Sequence, residues 1–292
     1  MNTFSTLICT MSRPRELDRA LRALQACAPM PTEILVSDDS PASDRRSEDL
    51  CRQFGAVRYQ VGPRRGLSAN RNVCVAASVG SWLHFTDDDV TVPADFYDRA
   101  AKVAAIRGDR SVLCGFEWRY DGGPDAPPAR VEPQRSGFWA HMRDAEKQDA
   151  NCVVINAAIF PRELFRCARF DEMLKYGCEE SDITLQALHR GYKLAHDPSL
   201  FVNHYPSAAN RDQYRRWVIT SQVYAGLKRQ WLFRQSGIGT LGFGALAVPR
   251  LLLFQLRRDG LSQAVSGTTQ ACRGVGCFLT LLGSRRTKVA DG

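Results

Sequence analysis

The chain has 292 residues, 44% of them hydrophobic and 24% charged, the balance of a globular protein long enough for a substantial core. Its 22 Gly and 14 Pro follow no period, which excludes collagen-like, low-complexity and repeat architectures. The formal net charge of +8 is uneven: residues 207–292 carry 13 Lys/Arg against three Asp, a net +10, which leaves −2 for the first 206. Such asymmetry points to an anionic partner for the tail, whether a membrane surface, a nucleic acid or an acidic polymer.

In chain order, 4–9 (FSTLIC) is a short β-rich run. Pro14 then suits the first turn of a helix, with Leu17, Leu21 and Leu24 at helical spacing and Pro29 and Pro31 closing it. Residues 33–36 (EILV) read as a second, buried strand, and strand–helix–strand over so short a span implies a parallel βαβ unit. A helix near 43–53, a strand at 56–60, a helix near 68–79 capped by Ser68, and a central strand at 81–86 (SWLHFT) follow. The alternation predicts an α/β domain with a Rossmann-like, mostly parallel sheet whose ligands gather at the carboxyl ends of the strands.

Residues 121–137 are rich in Pro and Gly and read as a loop, a lid or acceptor-side element. Order resumes at 151–160 and continues through a helix near 181–190, with Gly191 as its C′ residue, to a last strand at 200–203. The reading divides the chain into a domain over 1–206 and a helical, basic and apolar region over 207–292.

Ten cysteines do not form a disulfide framework. Cys9, Cys27, Cys74, Cys114 and Cys152 lie in apolar stretches, no C-x-x-C occurs, and Cys272 and Cys277 lack zinc spacing. With no basic leader at the start, a reduced protein on the cytosolic side is expected.

Chemistry concentrates after the strands. Asp87, Asp88 and Asp89 follow SWLHFT directly, and three adjacent carboxylates repel one another unless a cation sits among them. On an extended chain Asp87 and Asp89 project to one side, geometry suited to a hard divalent cation holding a phosphate; the bland reading is a solvated acidic turn. Asp38-Asp39 end the second strand in the same way, where a carboxylate can take a ribose hydroxyl or base N–H, or form an ordinary Asx turn before Ser40-Pro41. In GLSANRN, Arg71 lies in the first turns of a helix, within reach of a pyrophosphate. Glu179, Glu180 and Asp182 open the 181–190 helix, where the dipole alone favours carboxylates; the functional reading makes one a general base. His204 stands just past a strand end, the position of a third metal ligand, whereas His84, His141, His189 and His196 read as structural.

In this order and spacing, these residues resemble the family 2 glycosyltransferases, inverting GT-A enzymes that use nucleotide-diphosphate sugars, over about residues 4–205. STLICTMSRPRELDRALRAL is similar to the family's opening strand and helix, ILVSDDS to its "VDDGS", GLSANRN to its "G…ARN", HFTDDDV to its D-x-D, and CEESDI to its "GEDxDL". The resemblance implies a GT-A fold and a donor-nucleotide site at Thr10, Arg13, Asp38, Arg71 and Asp87. It implies Mg²⁺ or Mn²⁺ on Asp87, Asp89 and His204, Glu180 as the base, and Glu179 and Asp182 on the acceptor side. Glu180 stands where Asp is commoner, Ser37 replaces the first Asp of "VDDGS", and Asp39 replaces its Gly. The activity implied is transfer of a hexosyl or deoxyhexosyl group to a saccharide or lipid-linked acceptor in cell-surface polysaccharide or glycolipid synthesis. The alternatives are a catalytically degenerate nucleotide-sugar- or membrane-binding relative, and a nucleotidyltransferase, which would show a Gly-rich phosphate loop where this chain has TMSRPRE.

In the tail, 238–256 is a 19-residue apolar stretch interrupted by Pro249 and Arg250 and flanked by Arg234, Arg257 and Arg258. Pro-Arg inside so short a stretch argues against a span and for a segment lying on an anionic membrane surface, peripheral on the cytoplasmic face. Packing back on the first domain is the plainer alternative. Trp217, Tyr224 and Trp231 offer stacking groups for a nucleic acid, but no recognised binding module accompanies them, so no nucleic-acid partner is expected.

Overall fold

The computed structural model describes residues 2–123, 126–138, 142–144, 150–207, 209 and 211–290. His141 and residues 124–125 lie outside them, as do the side chains of Arg215, Arg216 and Arg258.

The first half alternates strand and helix: β1 (Phe4–Thr10), α1 (Pro14–Gln25), β2 (Glu33–Asp38), α2 (Arg46–Cys51), β3 (Val57–Val61), α3 (Leu67–Ala77) and β4 (Trp82–Asp87). β5 (Val90–Thr91), α4 (Phe96–Arg107) and β6 (Ser111–Arg119) follow, then three short strands, β7 (Ala129–Val131), β8 (Gln134–Ser136) and β9 (Met142–Asp144). β10 (Ala158–Pro161), α5 (Glu179–His189) and β11 (Lys193–His204) complete the sheet region, and α6 (Arg211–Lys228) and α7 (Gly237–Ala290) end the chain.

One nine-stranded sheet runs β3-β2-β1-β4-β10-β6-β11-β5, with β7 beside β6. Its β3-β2-β1-β4 half and the β6–β11 pair are parallel, as the βαβ reading requires, while β10 runs antiparallel between β4 and β6. Strand side chains alternate between two cores. Ile8, Ile34, Val36 and Trp82 pack against α1 and α4 through Leu17, Leu21, Leu24, Phe96 and Tyr97. Leu7, Leu35, Leu83 and Phe85 pack against Cys74 of α3 and Ile183 and Ala187 of α5. The result is a three-layer α/β/α domain.

Several local expectations change. Ser68 does not cap α3: Gly66 does, at φ +107°, and the buried Ser68 hydroxyl donates to the Leu174 carbonyl at 2.6 Å. A side chain on Gly66 would meet the backbone of Lys175, so glycine permits both the positive φ and the approach. The stretch read as a loop at 121–137 contains β7 and β8, and α4 and β6 fill a stretch to which the sequence reading assigns no element. The last strand is 12 residues long, two segments paired with β6 and joined by a register jump between His196 and Phe201, where the Leu200 carbonyl packs onto Gly115 with no room for a Cβ. All ten cysteines are free.

The C-terminal helices do pack on the sheet domain. Tyr224 and Leu227 of α6 and Phe243 and Ala271 of α7 share a core with Leu174 and Phe138. α6 and α7 meet closely where Gly226 faces the Phe243 ring and Gly274 faces Thr220 and Val223. The Thr220 hydroxyl also donates to the Gln270 carbonyl at 3.0 Å. Over Gly237–Phe254 the helix is long and apolar enough to cross a membrane, and only 11% of it is buried.

Candidate active site

Register brings the polar strand ends together. Thr10 at the end of β1 lies opposite Asp38 of β2, and Cys9 lies opposite Asp87 of β4, so three carboxyl ends open on one side of the sheet. The chain then turns through Asp88 and Asp89 into β5, whose Val90 pairs with His204 of β11. That turn brings His204, distant in sequence, against Asp89. The three Asp residues therefore do not continue one extended strand: Asp87 turns to Arg71, while Asp88 and Asp89 share Arg13.

Asp87 accepts from Arg71 at 3.2 Å, and the same guanidinium reaches Glu179 at 3.1 Å. Asp88 is buried and holds Thr10 (2.6 Å) and Arg13 (3.0 Å). Asp89 takes Arg13 at 3.4 Å and the Ser207 N–H at 3.0 Å. Its Oδ1 lies 3.3 Å from His204 Nε2, an ion pair without an aligned hydrogen bond, so this buried oxygen has no hydrogen-bond partner. Behind them, His204 Nδ1 is 3.2 Å from Glu117, Glu117 accepts from Asn156 at 3.3 Å, and Asn156 accepts the Asp87 N–H at 3.0 Å.

A cavity of about 230 Å³ opens here, lined by Thr10, Arg13, Asp39, Asp87, Asp88, Asp89 and His204. Tyr176 and Tyr214, stacked at 4.7 Å, also line it, so α6 supplies part of the wall. Asp38 does not line it: its carboxylate is taken up by Ser40, whose N–H donates at 2.8 Å, and by the Tyr59 hydroxyl at 3.2 Å. This is the Asx turn, and Asp39 is the residue of that pair facing the cavity. Arg71 is buried behind the lining, joining Asp87 to α5.

Glu180 is half-buried in the first turn of α5. Burial first, then the Glu179 carboxylate, push its pKa up to about 8, against the pull of Arg71; Glu117 and Asp87 act in the same upward direction. Asp182, two residues on, is not open to a ligand. Its carboxylate is buried and held by Lys228 of α6 at 2.7 Å, and Lys228 also reaches Asp171 at 2.6 Å.

Burial lifts Asp88 to about 7 despite Arg13, whereas Asp89, equally buried, stays below its usual range because His204, Ser207 and Arg13 outweigh desolvation. For His204 burial acts downward, but Asp89 and Glu117 dominate and raise it to about 10. Among the described residues no three His, Cys, Asp or Glu side chains are already arranged to hold a metal ion. The donors nevertheless fit one. Asp87 and Asp89 line one cavity with His204, whose imidazolium would give up its proton to serve as a ligand, and Asp89 presents a buried oxygen that accepts no hydrogen bond.

Glu117, Asn156, Tyr214 and Lys228 escape sequence reasoning, and Asp88 is legible there only as one of three adjacent carboxylates, without its Thr10 and Arg13 partners. Glu117 and Asn156 did leave a signal, as lone polar residues inside the apolar runs LCGFEW and CVVINAAIF. The pairing of Lys228 with Asp182 has no local trace.

Comparison with known proteins agrees with this architecture. The chain is 32% identical over 126 residues to the succinoglycan biosynthesis protein ExoM of Rhizobium meliloti (strain 1021), covering 41% of this chain and 40% of that one. It is 26% identical over 167 residues to the uncharacterized glycosyltransferase EpsJ of Bacillus subtilis (strain 168), covering 55% and 48%. The matches thus span less than half the length of either relative. Among solved structures, GalNAc-T7 with UDP, GalNAc and Mn²⁺ superposes with a TM-score of 0.62 at 16% identity, covering 77% of this chain and 47% of that one. TarS of S. aureus superposes with a TM-score of 0.51 at 14% identity, covering 87% and 43%. These likenesses carry the fold, which is GT-A. Residues 5–169, more than half of the chain, match the model of glycosyl transferase family 2, and the chain belongs to that family.

Proposed function

We propose that the chain is an inverting glycosyltransferase that moves a hexosyl or deoxyhexosyl group from a nucleotide-diphosphate sugar to a hydroxyl of a saccharide or lipid-linked acceptor. The setting is synthesis of a cell-surface polysaccharide or glycolipid. One observation carries the reading: the cavity at the ends of β1 and β4, where Asp87, Asp89 and His204 share a wall with Arg13. ExoM belongs by name to succinoglycan biosynthesis, and GalNAc-T7 binds UDP and Mn²⁺, both consistent with such a donor.

Asp87, Asp89 and His204 would hold the Mg²⁺ or Mn²⁺, which when bound supplies positive charge to the diphosphate leaving group. Arg13, fixed by Asp88 and Asp89, adds cationic charge to that wall. Arg71 keeps Asp87 and Glu179 in fixed relation, so the donor wall and the start of α5 move together. Glu180, at about 8, is a stronger base than an ordinary carboxylate. It takes the acceptor proton as that oxygen bonds to the anomeric carbon and the bond from that carbon to the diphosphate breaks. One displacement inverts the configuration.

The basic residues around the exposed apolar face of α7 suit an anionic bilayer surface, and we place the protein peripherally on the cytoplasmic face. The donor reading is tested by thermal shift with UDP, dTDP, GDP and CMP, with and without Mn²⁺, on wild type, Asp89→Ala and Asp89→Asn. Stabilisation by one nucleotide, dependent on Mn²⁺ and lost in folded variants, is expected. No response to any nucleotide in the wild type would overturn it.

A further inference from the structure

Beside the donor cavity lies a second hollow of about 290 Å³, bounded by Arg15, Glu16, Arg19, Tyr120, Asp121 and Tyr205. The two share a wall. Arg119 and His204 face the first, and their chain neighbours Tyr120 and Tyr205 face the second. Backbone bonds fix that wall: the Tyr120 N–H donates to the His204 carbonyl and the Tyr205 N–H to the Asp89 carbonyl, both at 2.9 Å.

Three flat groups are piled there. The Arg19 guanidinium sits 4.4 Å from the Tyr205 ring centroid, and Tyr205 stacks on Tyr120 at 4.7 Å and 18°. Arg19 has no ion-pair partner among the described residues, and its buried Nε has no hydrogen-bond partner. Around the pile, Asp121 accepts from Arg119 at 2.9 Å, and Glu16 accepts from the Ser207 hydroxyl at 2.7 Å.

We propose that this hollow is a saccharide subsite, holding a sugar unit of the acceptor next to the one that reacts; the proposal rests on the transferase reading above. A pyranose has an apolar C–H face and a rim of hydroxyls. Half-buried Tyr120, last in the pile, offers a flat apolar surface for the first. Guanidinium donors and carboxylate acceptors serve the second, the pairing that neighbouring hydroxyls satisfy. The lining holds two Arg and two carboxylates, so it carries no net positive field to retain a phosphate.

The test uses the full chain on an array of hexose and deoxyhexose oligosaccharides of two to six units, with wild type, Tyr120→Ala and Tyr120→Phe. Nucleotide thermal shift runs in parallel. Binding of an oligosaccharide by the wild type, weakened tenfold or more in Tyr120→Ala and kept in Tyr120→Phe, is expected, with nucleotide response unchanged throughout. No bound oligosaccharide, binding indifferent to Tyr120→Ala, or displacement by inorganic pyrophosphate would overturn the subsite while leaving donor recognition intact. No nucleotide response in the wild type would instead break the transferase reading, and the subsite with it.

Discussion

Two buried charge clusters in this molecule use the same residue types in opposite ways. At the Asp171–Lys228–Asp182 contact one ammonium bridges two carboxylates, with the Tyr224 hydroxyl donating to Asp171 at 2.6 Å, and α6 is fastened to the sheet domain. Around the cavity, Asp87, Asp88 and Asp89 of its lining, with Glu179 and Glu180 at the start of α5 outside that lining, are served by Arg13, Arg71 and His204, and the balance is incomplete. Asp89 and Glu179 each keep a buried oxygen with no hydrogen bond, and Glu180 and Asp88 titrate near neutrality. A cluster that closes on itself stabilises a contact; one left open to a cavity is arranged for something else to complete it.

The largest effect expected from breaking the open cluster is in Glu180→Gln, which should lower kcat by about 10²–10⁴-fold while nucleotide thermal shift persists. Near-normal turnover would remove Glu180 from the base role. Breaking the closed cluster should act on stability. Lys228→Met leaves Asp171 and Asp182 buried without their cation, a loss of about 3–5 kcal/mol in denaturant unfolding; an unchanged midpoint would show that the bridge contributes little.

The pH response separates the clusters further. As the proposed base, Glu180 is half ionised at about pH 8, so kcat/KM should rise with pH through that value and level off above it. Because its folded pKa exceeds the unfolded one, Glu180 costs stability increasingly as pH rises from about 4.5 towards 8. Glu180→Gln should therefore melt higher than wild type at pH 9 and level with it at pH 4. The smallest expected change in stability is on α7. Leu241→Gln with Phe254→Gln, both exposed, should leave the melting temperature within about a degree yet reduce co-sedimentation with anionic vesicles. Unchanged sedimentation would remove the membrane placement.

Much of the sheet was legible because β1, β2 and β4 are apolar runs that stop at a polar residue, and α1 carries Leu17, Leu21 and Leu24 on one face. Asp38, Asp87 and Asp89 were found by that same edge. Asp88 was passed over because an extended chain would point it away from its neighbours; a turn gives it Thr10 and Arg13 instead. Glu117 and Lys228 act through partners 87 and 46 residues away, and no local pattern encodes such a meeting. α4 was readable in principle, since Phe96, Tyr97, Ala100, Val103 and Ala104 recur at helical spacing.

The contacts of Gly226 with Phe243 and of Thr220 with Gly274 constrain the shape of α7. Thr220 and Gly226 are about 9 Å apart along α6, whereas a straight helix would separate Phe243 from Gly274 by about 46 Å. α7 is therefore no rod; it doubles back between them, across a stretch that includes Pro249, Gly260 and Gly267, residues of weak helical preference. Exposed Leu253, Phe254, Leu256 and Leu261, with Arg257 among them, fall in that returning stretch and form the bend of a helical hairpin rather than the side of a single post. A hairpin that meets a surface with its bend dips in and comes out on the same side, and it leaves both arms free to grip α6.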